Sequence, residues 1–292
     1  MPKRMTAGEE ITEMEKLSSF RKRVEKVLDA IGRDTLAYDE SEFWMIRRPY
    51  EYIEYYAQAN RLFNTCIALP LARGIHDGSH RKACTVKDGV SYRLPYVIHC
   101  LMVCRMLADL HMPIPKEEED VVLASALCHD MIEDIPFEDG GRELVTKFHL
   151  DSKVYETVKL LSKDRTWSDE EHALYFRKIQ ENRAALLVKL SDRGNNVEDL
   201  YNMSIWKTHE YVGETRTYFF PMCLYAKAHY PELFTVFEIL QDKIITLTQT
   251  ADILVERYEA MEKELVGQIS EAQKENARLR AELKRMMEKT DR

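Results

Sequence analysis

The stretch Ala126-Leu127-Cys128-His129-Asp130-Met131-Ile132-Glu133-Asp134 ends an apolar run with four ionisable side chains. Helical spacing puts Glu133 one turn beyond His129 and Asp134 one turn beyond Asp130, so the four crowd one edge. Leu123, Ala124, Leu127 and Ile132 make much of the rest of that helix apolar and core-facing. Burying several carboxylates without a countercharge is costly. Two readings follow: a bound divalent cation neutralises the acids, or the helix end is solvated and its acids face water. Imidazole with carboxylate suits Mn, Fe, Zn or Co better than Ca, which prefers oxygen alone.

On either side of this stretch the chain reads as helices. Three-and-four spacing of apolar residues predicts them over Tyr96–Leu110, Glu117–Asp134, Ser152–Leu161, Ser168–Asn182, Ala184–Leu200, His209–Ala228 and Pro231–Thr250. Pro113, Pro115, Pro136, Gly140-Gly141 and Pro231 punctuate them. Strand-like alternation is scarce, and the expected class is all-α. Three zones are drawn. Residues 1–65 form an N-terminal helical extension, with one helix along Leu17, Phe20, Val24, Val27, Leu28 and Ile31, and an aromatic-rich one along Tyr50, Tyr52, Ile53, Tyr56 and Leu62. Residues 66–250 carry most of the informative histidines. Residues 251–292 are rich in Glu, Lys and Arg, and Leu265, Ile269, Ala272, Asn276, Leu279, Leu283 and Met286 alternate by four and three. That seam fits a coiled coil with Asn276 at an a position, and hence a homodimer; a lone helix folding back on the domain is the alternative.

Composition narrows the function. The 292 residues carry a net charge of -8, with 42 Lys and Arg against 50 Asp and Glu, which disfavours nucleic acid as the main partner. No apolar run approaches the roughly 20 residues of a bilayer span, and Met1-Pro2-Lys3-Arg4 leads into polar sequence rather than a signal segment. The six cysteines lack zinc-site spacing and read as reduced core thiols of a cytoplasmic protein.

Two other segments can complete a metal site. His99 lies in the otherwise apolar Tyr96-Val97-Ile98-His99-Cys100-Leu101-Met102, and Asp192 follows Val188-Lys189-Leu190-Ser191, with Asn196 one turn later. Alone, each has an ordinary structural reading: a satisfied core histidine, or an acid paired with Arg193. Together they give an ordered H…HD…D set.

With these residues in view, the sequence resembles the HD metal-dependent phosphohydrolase superfamily, and more closely the hydrolase domain of the RelA/SpoT (p)ppGpp family, over about residues 66–235. His76, Arg81-Lys82, Tyr96 and His99 match that family's H-x4-RK…Y-x2-H opening. His129 to Asp134 match its HDxxED block, and Ser162-Lys163 stands where Thr-Lys is usual. Lys189-Leu190-Ser191-Asp192-Arg193-Gly194-Asn195-Asn196 parallels its KLADRLHN segment. The resemblance implies an HD-domain helical bundle in which His99, His129, Asp130 and Asp192 ligate one metal, typically Mn(II). It implies that Glu133 and Asp134 are the catalytic acidic pair, that Arg81 and Lys82 meet the purine, and that Asn196 meets the nucleoside. Lys163 is a candidate phosphate partner. The implied reaction removes the 3′-pyrophosphate of ppGpp or pppGpp; an HD-type hydrolase of another nucleotide or phosphoester, or a non-catalytic nucleotide sensor, is the alternative. Three departures bear on substrate: the long segment Ala83 to Pro95, Gly194-Asn195 in place of Leu-His, and Asp199 where Thr is common. None falls on an implied ligand.

Overall fold

Every residue from Glu119 to Cys128 is buried, which only a helix enclosed by other helices satisfies. The computed structural model describes residues 40–290 except 77, 82–84, 88–89, 135–136, 138 and 165. The helix expected along Leu17 to Ile31 lies outside these residues. The first described helices are α1 (Glu40–Asn60) and α2 (Phe63–Ile75), followed by the strands β1 (Thr85–Lys87) and β2 (Val90–Tyr92). Next come α3 (Tyr96–Asp109), α4 (Lys116–Cys128) and the short turns α5 (Met131–Asp134) and α6 (Glu143–Thr146). The chain continues through α7 (Ser152–Leu161), α8 (Asp169–Glu181), α9 (Arg183–Glu198), α10 (Ile205–Glu214), α11 (Phe220–His229) and α12 (Phe234–Thr290). The class is all-α. The strands form one antiparallel hairpin, with Thr85 opposite Tyr92 and Lys87 opposite Val90; it sits in the long segment between Lys82 and Tyr96, where no strand was expected.

α4 is the axle. It packs against α2, α3, α7 and α9, and three glutamates in its first turn suit the positive end of the helix dipole. α3 and α9 also pack on each other, and the Ser191 hydroxyl donates to the Val103 carbonyl at 3.0 Å, fixing their register. α8 starts on a reciprocal capping box between Ser168 and Glu171, and α9 starts with the Asn182 side chain accepting from the Ala185 amide. α2 has no cap of its own at Leu62; Asp120, reaching across from α4, accepts from the Asn64 and Thr65 amides at 2.9 and 2.8 Å instead.

Residue 65 lies within α2, and Ile46, Ile53, Ala57 and Leu62 share the core of the later helices. Three sequence expectations change. The helix predicted over Glu117–Asp134 breaks after Cys128 and resumes at Met131. The segment expected to end near Thr250 runs on without interruption to Thr290, because nothing between them is a proline or glycine except Gly267. A π-helical turn, Thr215–Phe219, divides the segment His209–Ala228. Among the described residues no helix is long and apolar enough to cross a membrane, and Cys100, Cys104, Cys128 and Cys223 are buried free thiols.

Candidate metal centre

The helix packing carries three distant segments to one point. α3 delivers His99, the end of α4 delivers His129 and Asp130, and α9 delivers Asp192. The Nε2 atoms of His99 and His129 are 3.2 Å apart. Asp192 Oδ1 lies 3.2 Å from His99 Nε2 and 3.7 Å from His129 Nε2. Asp130 Oδ2 lies 2.9 Å from His129 Nε2 and 3.7 Å from His99 Nε2. Both imidazoles are almost wholly buried. The atoms offered by His99, His129 and Asp192 all fall within 4.8 Å of one another, as a single bound ion requires.

The other ring nitrogens decide what this cluster is for. His129 Nδ1 donates to the Ala126 carbonyl at 2.8 Å, and His99 Nδ1 faces the Asn195 Oδ1 at 2.7 Å. An oxygen at that position accepts, so each ring keeps its proton on Nδ1 and turns a lone pair at Nε2 toward the centre. Two lone pairs and two carboxylates then face one another; the carboxylates take donors from Tyr96, Asn196 and Lys189, and neither ring in this tautomer supplies one. A bound cation suits such a convergence, and the donor set fits a divalent transition metal. In its absence a proton takes the place: burial disfavours charge on His129, but Asp130 and Asp192 outweigh burial and push its pKa up to about 9. Burial also opposes ionisation of Asp192, yet Lys189 and the imidazoles hold it well below the carboxylate range.

The break after Cys128 has a geometric consequence. It turns His129 into the core while Glu133 and Asp134 come out on the surface, so the four groups do not share one helical edge. A helical bond still runs from the Asp134 amide to the Asp130 carbonyl at 2.9 Å. Burial and the neighbouring Asp130 raise the Glu133 pKa above its ordinary value. The turn is held from outside by Gly141, at φ 88°, where a Cβ would lie 2.6 Å from Ile132 Cγ1.

The remaining expected residues divide. Lys163 sits beside the acidic pair: its amide is 3.4 Å from Glu133 Oε2 and its ammonium 3.1 Å from Glu214 Oε1. Asn196 donates to Asp192 Oδ1 at 2.6 Å and accepts from Arg81 at 2.7 Å. The Arg81 guanidinium also reaches Asn195 at 3.1 Å and Asp199 at 3.1 Å. Its donors therefore brace the end of α9. Lys82 lies outside the described residues.

Several contributors went unassigned in the sequence. Asn195, one of the residues departing from the family pattern, supports His99. Asp199, another, pairs with Arg81. The Tyr96 hydroxyl donates to Asp130 Oδ2, and Lys189 reaches Asp192 Oδ2 at 3.2 Å. Position Tyr96 was available from the motif; the partners of Asn195 and Asp199 depend on tertiary packing alone.

The model of the HD domain family matches residues 96–196, from the first residue of α3 to Asn196 near the end of α9, and so spans every residue of the cluster. No curated protein matches the chain. Residues 96–196 are thus similar to the HD domain, a kind typical of metal-dependent hydrolases, and the His99–His129–Asp192 cluster is the candidate metal centre of that segment.

Proposed function

We propose that the protein is an Mn(II)-dependent hydrolase of nucleotide polyphosphates, and that its substrate is ppGpp or pppGpp, cleaved to pyrophosphate and GDP or GTP. The observation that carries the hydrolase reading is the convergence of His99, His129, Asp130 and Asp192 on one point, with an acidic pair and a lysine at its rim. The substrate rests on the resemblance of the ordered motif blocks. A divalent cation in such a site supplies Lewis acidity toward water and phosphoryl oxygen. The chain's own residues do the rest. Asn195 and the Ala126 carbonyl hold the imidazoles in the ligating tautomer. The Glu133–Asp134 pair takes the proton of the attacking water and returns it to the departing 3′ oxygen. A raised Glu133 pKa suits a group that both accepts and gives a proton. Lys163, once released from Glu214, meets a phosphate.

Product analysis with Mn(II) across ppGpp, pppGpp, NADPH and deoxynucleoside triphosphates tests this reading. Release of pyrophosphate from ppGpp is expected; orthophosphate alone, or turnover of another nucleotide only, excludes the alarmone. Asp130→Ala is expected to lose metal and turnover together, and full activity in a metal-free Asp130→Ala protein rejects the mechanism. One observation favours a second reading, hydrolysis of another nucleotide by the same chemistry. The implied purine contact, Arg81, has its donors committed to Asn195, Asn196 and Asp199.

A further inference from the structure

Among the described side chains of α12 the last buried one is Val255, and from Glu256 to Met287 every described side chain is exposed. At 1.5 Å per residue this half of the helix projects about 45–50 Å past the domain. It is not uniformly polar. Leu265, Ile269, Leu279 and Leu283 are exposed by 50–59%, on the seam whose four-and-three spacing runs through Ala272 and Asn276. Exposed apolar residues in such a row mark an interaction surface rather than scattered surface leucines.

We infer that this segment pairs with a second copy of the chain as a parallel, in-register two-stranded coiled coil. The inference is independent of the proposed reaction. With Asn276 at a, Ile269 and Leu283 are also a positions, and Leu265, Ala272 and Leu279 are d positions. A β-branched residue at a with leucine at d favours two strands. The flanks choose the orientation. Glu275 is a g residue and Arg280 the e residue five places on, so a parallel pair sets Glu275 of each copy against Arg280 of the other, twice by symmetry. An antiparallel pair sets g against g, placing the glutamates Glu275 and Glu282 along one flank, and packs the Asn276 amide against an apolar d residue. Only the parallel register places Asn276 opposite Asn276, where the two amides bond each other. Both HD domains then leave from the same end of the coil.

The full-length protein is expected to have twice the 34.3 kDa chain mass in light scattering, falling to the single-chain mass on truncation after 262. A single-chain mass for the intact protein at tens of micromolar overturns the inference. Orientation is read by disulfide trapping. Leu265→Cys and Leu283→Cys are each expected to give a covalent dimer alone, above the wild-type background. Trapping only in a mixture of the two overturns the parallel arrangement. Glu275→Arg and Arg280→Glu are each expected to weaken the dimer about five-fold, two pairs changing by a few tenths of a kcal/mol or more each. The double exchange restores it; failure to restore it overturns the pairing.

Discussion

Asp120 and Asp192 lie on neighbouring helices, each follows or leads an apolar run, and they are equally hidden, at 6% and 7% exposure. Their surroundings are opposite. Asp120 receives the Asn64 amide and side-chain nitrogen at 2.9 Å each, and the Thr65 amide and hydroxyl at 2.8 Å each. Four neutral donors satisfy its oxygens, and it caps α2 from another helix. Asp192 has Asn196 and Lys189 on its own helix, but across the interface it faces imidazole lone pairs. Burial raises the pKa of Asp120, and its hydrogen bonds only partly offset this; Asp192 is driven the other way. Burial of an acid therefore does not mark a metal site. An excess of acceptors over donors does.

The largest test of this contrast is substitution of both acids. Asp192→Asn is expected to bring metal content and hydrolysis to background, and to abolish the rise in thermal midpoint on adding Mn(II), which for a hundred-fold excess over Kd is worth about 2.7 kcal/mol. Asp120→Ala is expected to do the reverse. It strands donors around Thr65, which is fully buried, and lowers stability by about 1–3 kcal/mol, yet the Mn(II)-induced rise persists. Calorimetry with and without metal separates the two. Loss of the metal response in Asp120→Ala would erase the distinction.

The sequence distinguished these acids only through the ordered motif. Periodicity located α3, α7, α8 and α9 to within a residue or two, since their apolar faces are decided locally. It misplaced the end of α4, because Met131 and Ile132 continue the apolar pattern while the chain turns at His129-Asp130 to aim an imidazole inward. The hairpin was legible and missed: Asp88-Gly89 between Thr85-Val86-Lys87 and Val90-Ser91-Tyr92 is a strong two-residue hairpin signal. The role of Asn195 was not legible. Its partners His99 and Arg81 are 96 and 114 residues away in sequence, on α3 and before it, and only the packing of α9 on α3 brings them together.

Asn195 gives the next smaller effect. Asn195→Ala removes the acceptor that holds His99 with its proton on Nδ1, at 2.7 Å. Supporting contacts of this kind are worth about 10- to 100-fold in metal affinity. Competition with a chelator is expected to show that loss for Mn(II), with the helical content of the protein unchanged. An unaltered affinity would mean that the ring is fixed by packing against His129 and Tyr96 alone, at centroid distances of 5.0 and 5.7 Å.

Glu214 completes the series as an acid balanced by the protein's own cations. Arg193 and Lys163 pair with it, and the Arg193 guanidinium stacks on Phe219, 3.9 Å from the ring centroid. Burial raises its pKa, but the two cations prevail and bring it down from 4.5 to about 2. A depressed carboxyl pKa means the folded state holds the ionised form more tightly than the unfolded chain does. Its contribution is therefore complete above about pH 5 and disappears as the pH falls toward 2. With the side chain 23% exposed, the increment is about 1–2 kcal/mol after solvent screening. Denaturant unfolding of wild type and Glu214→Gln checks this. The stability gap between them is expected to be widest near neutrality and to close only as the pH falls through about 2. A gap that stays constant across that range would mean Glu214 acts through packing, and that the charge balance separating it from Asp192 has no energetic weight.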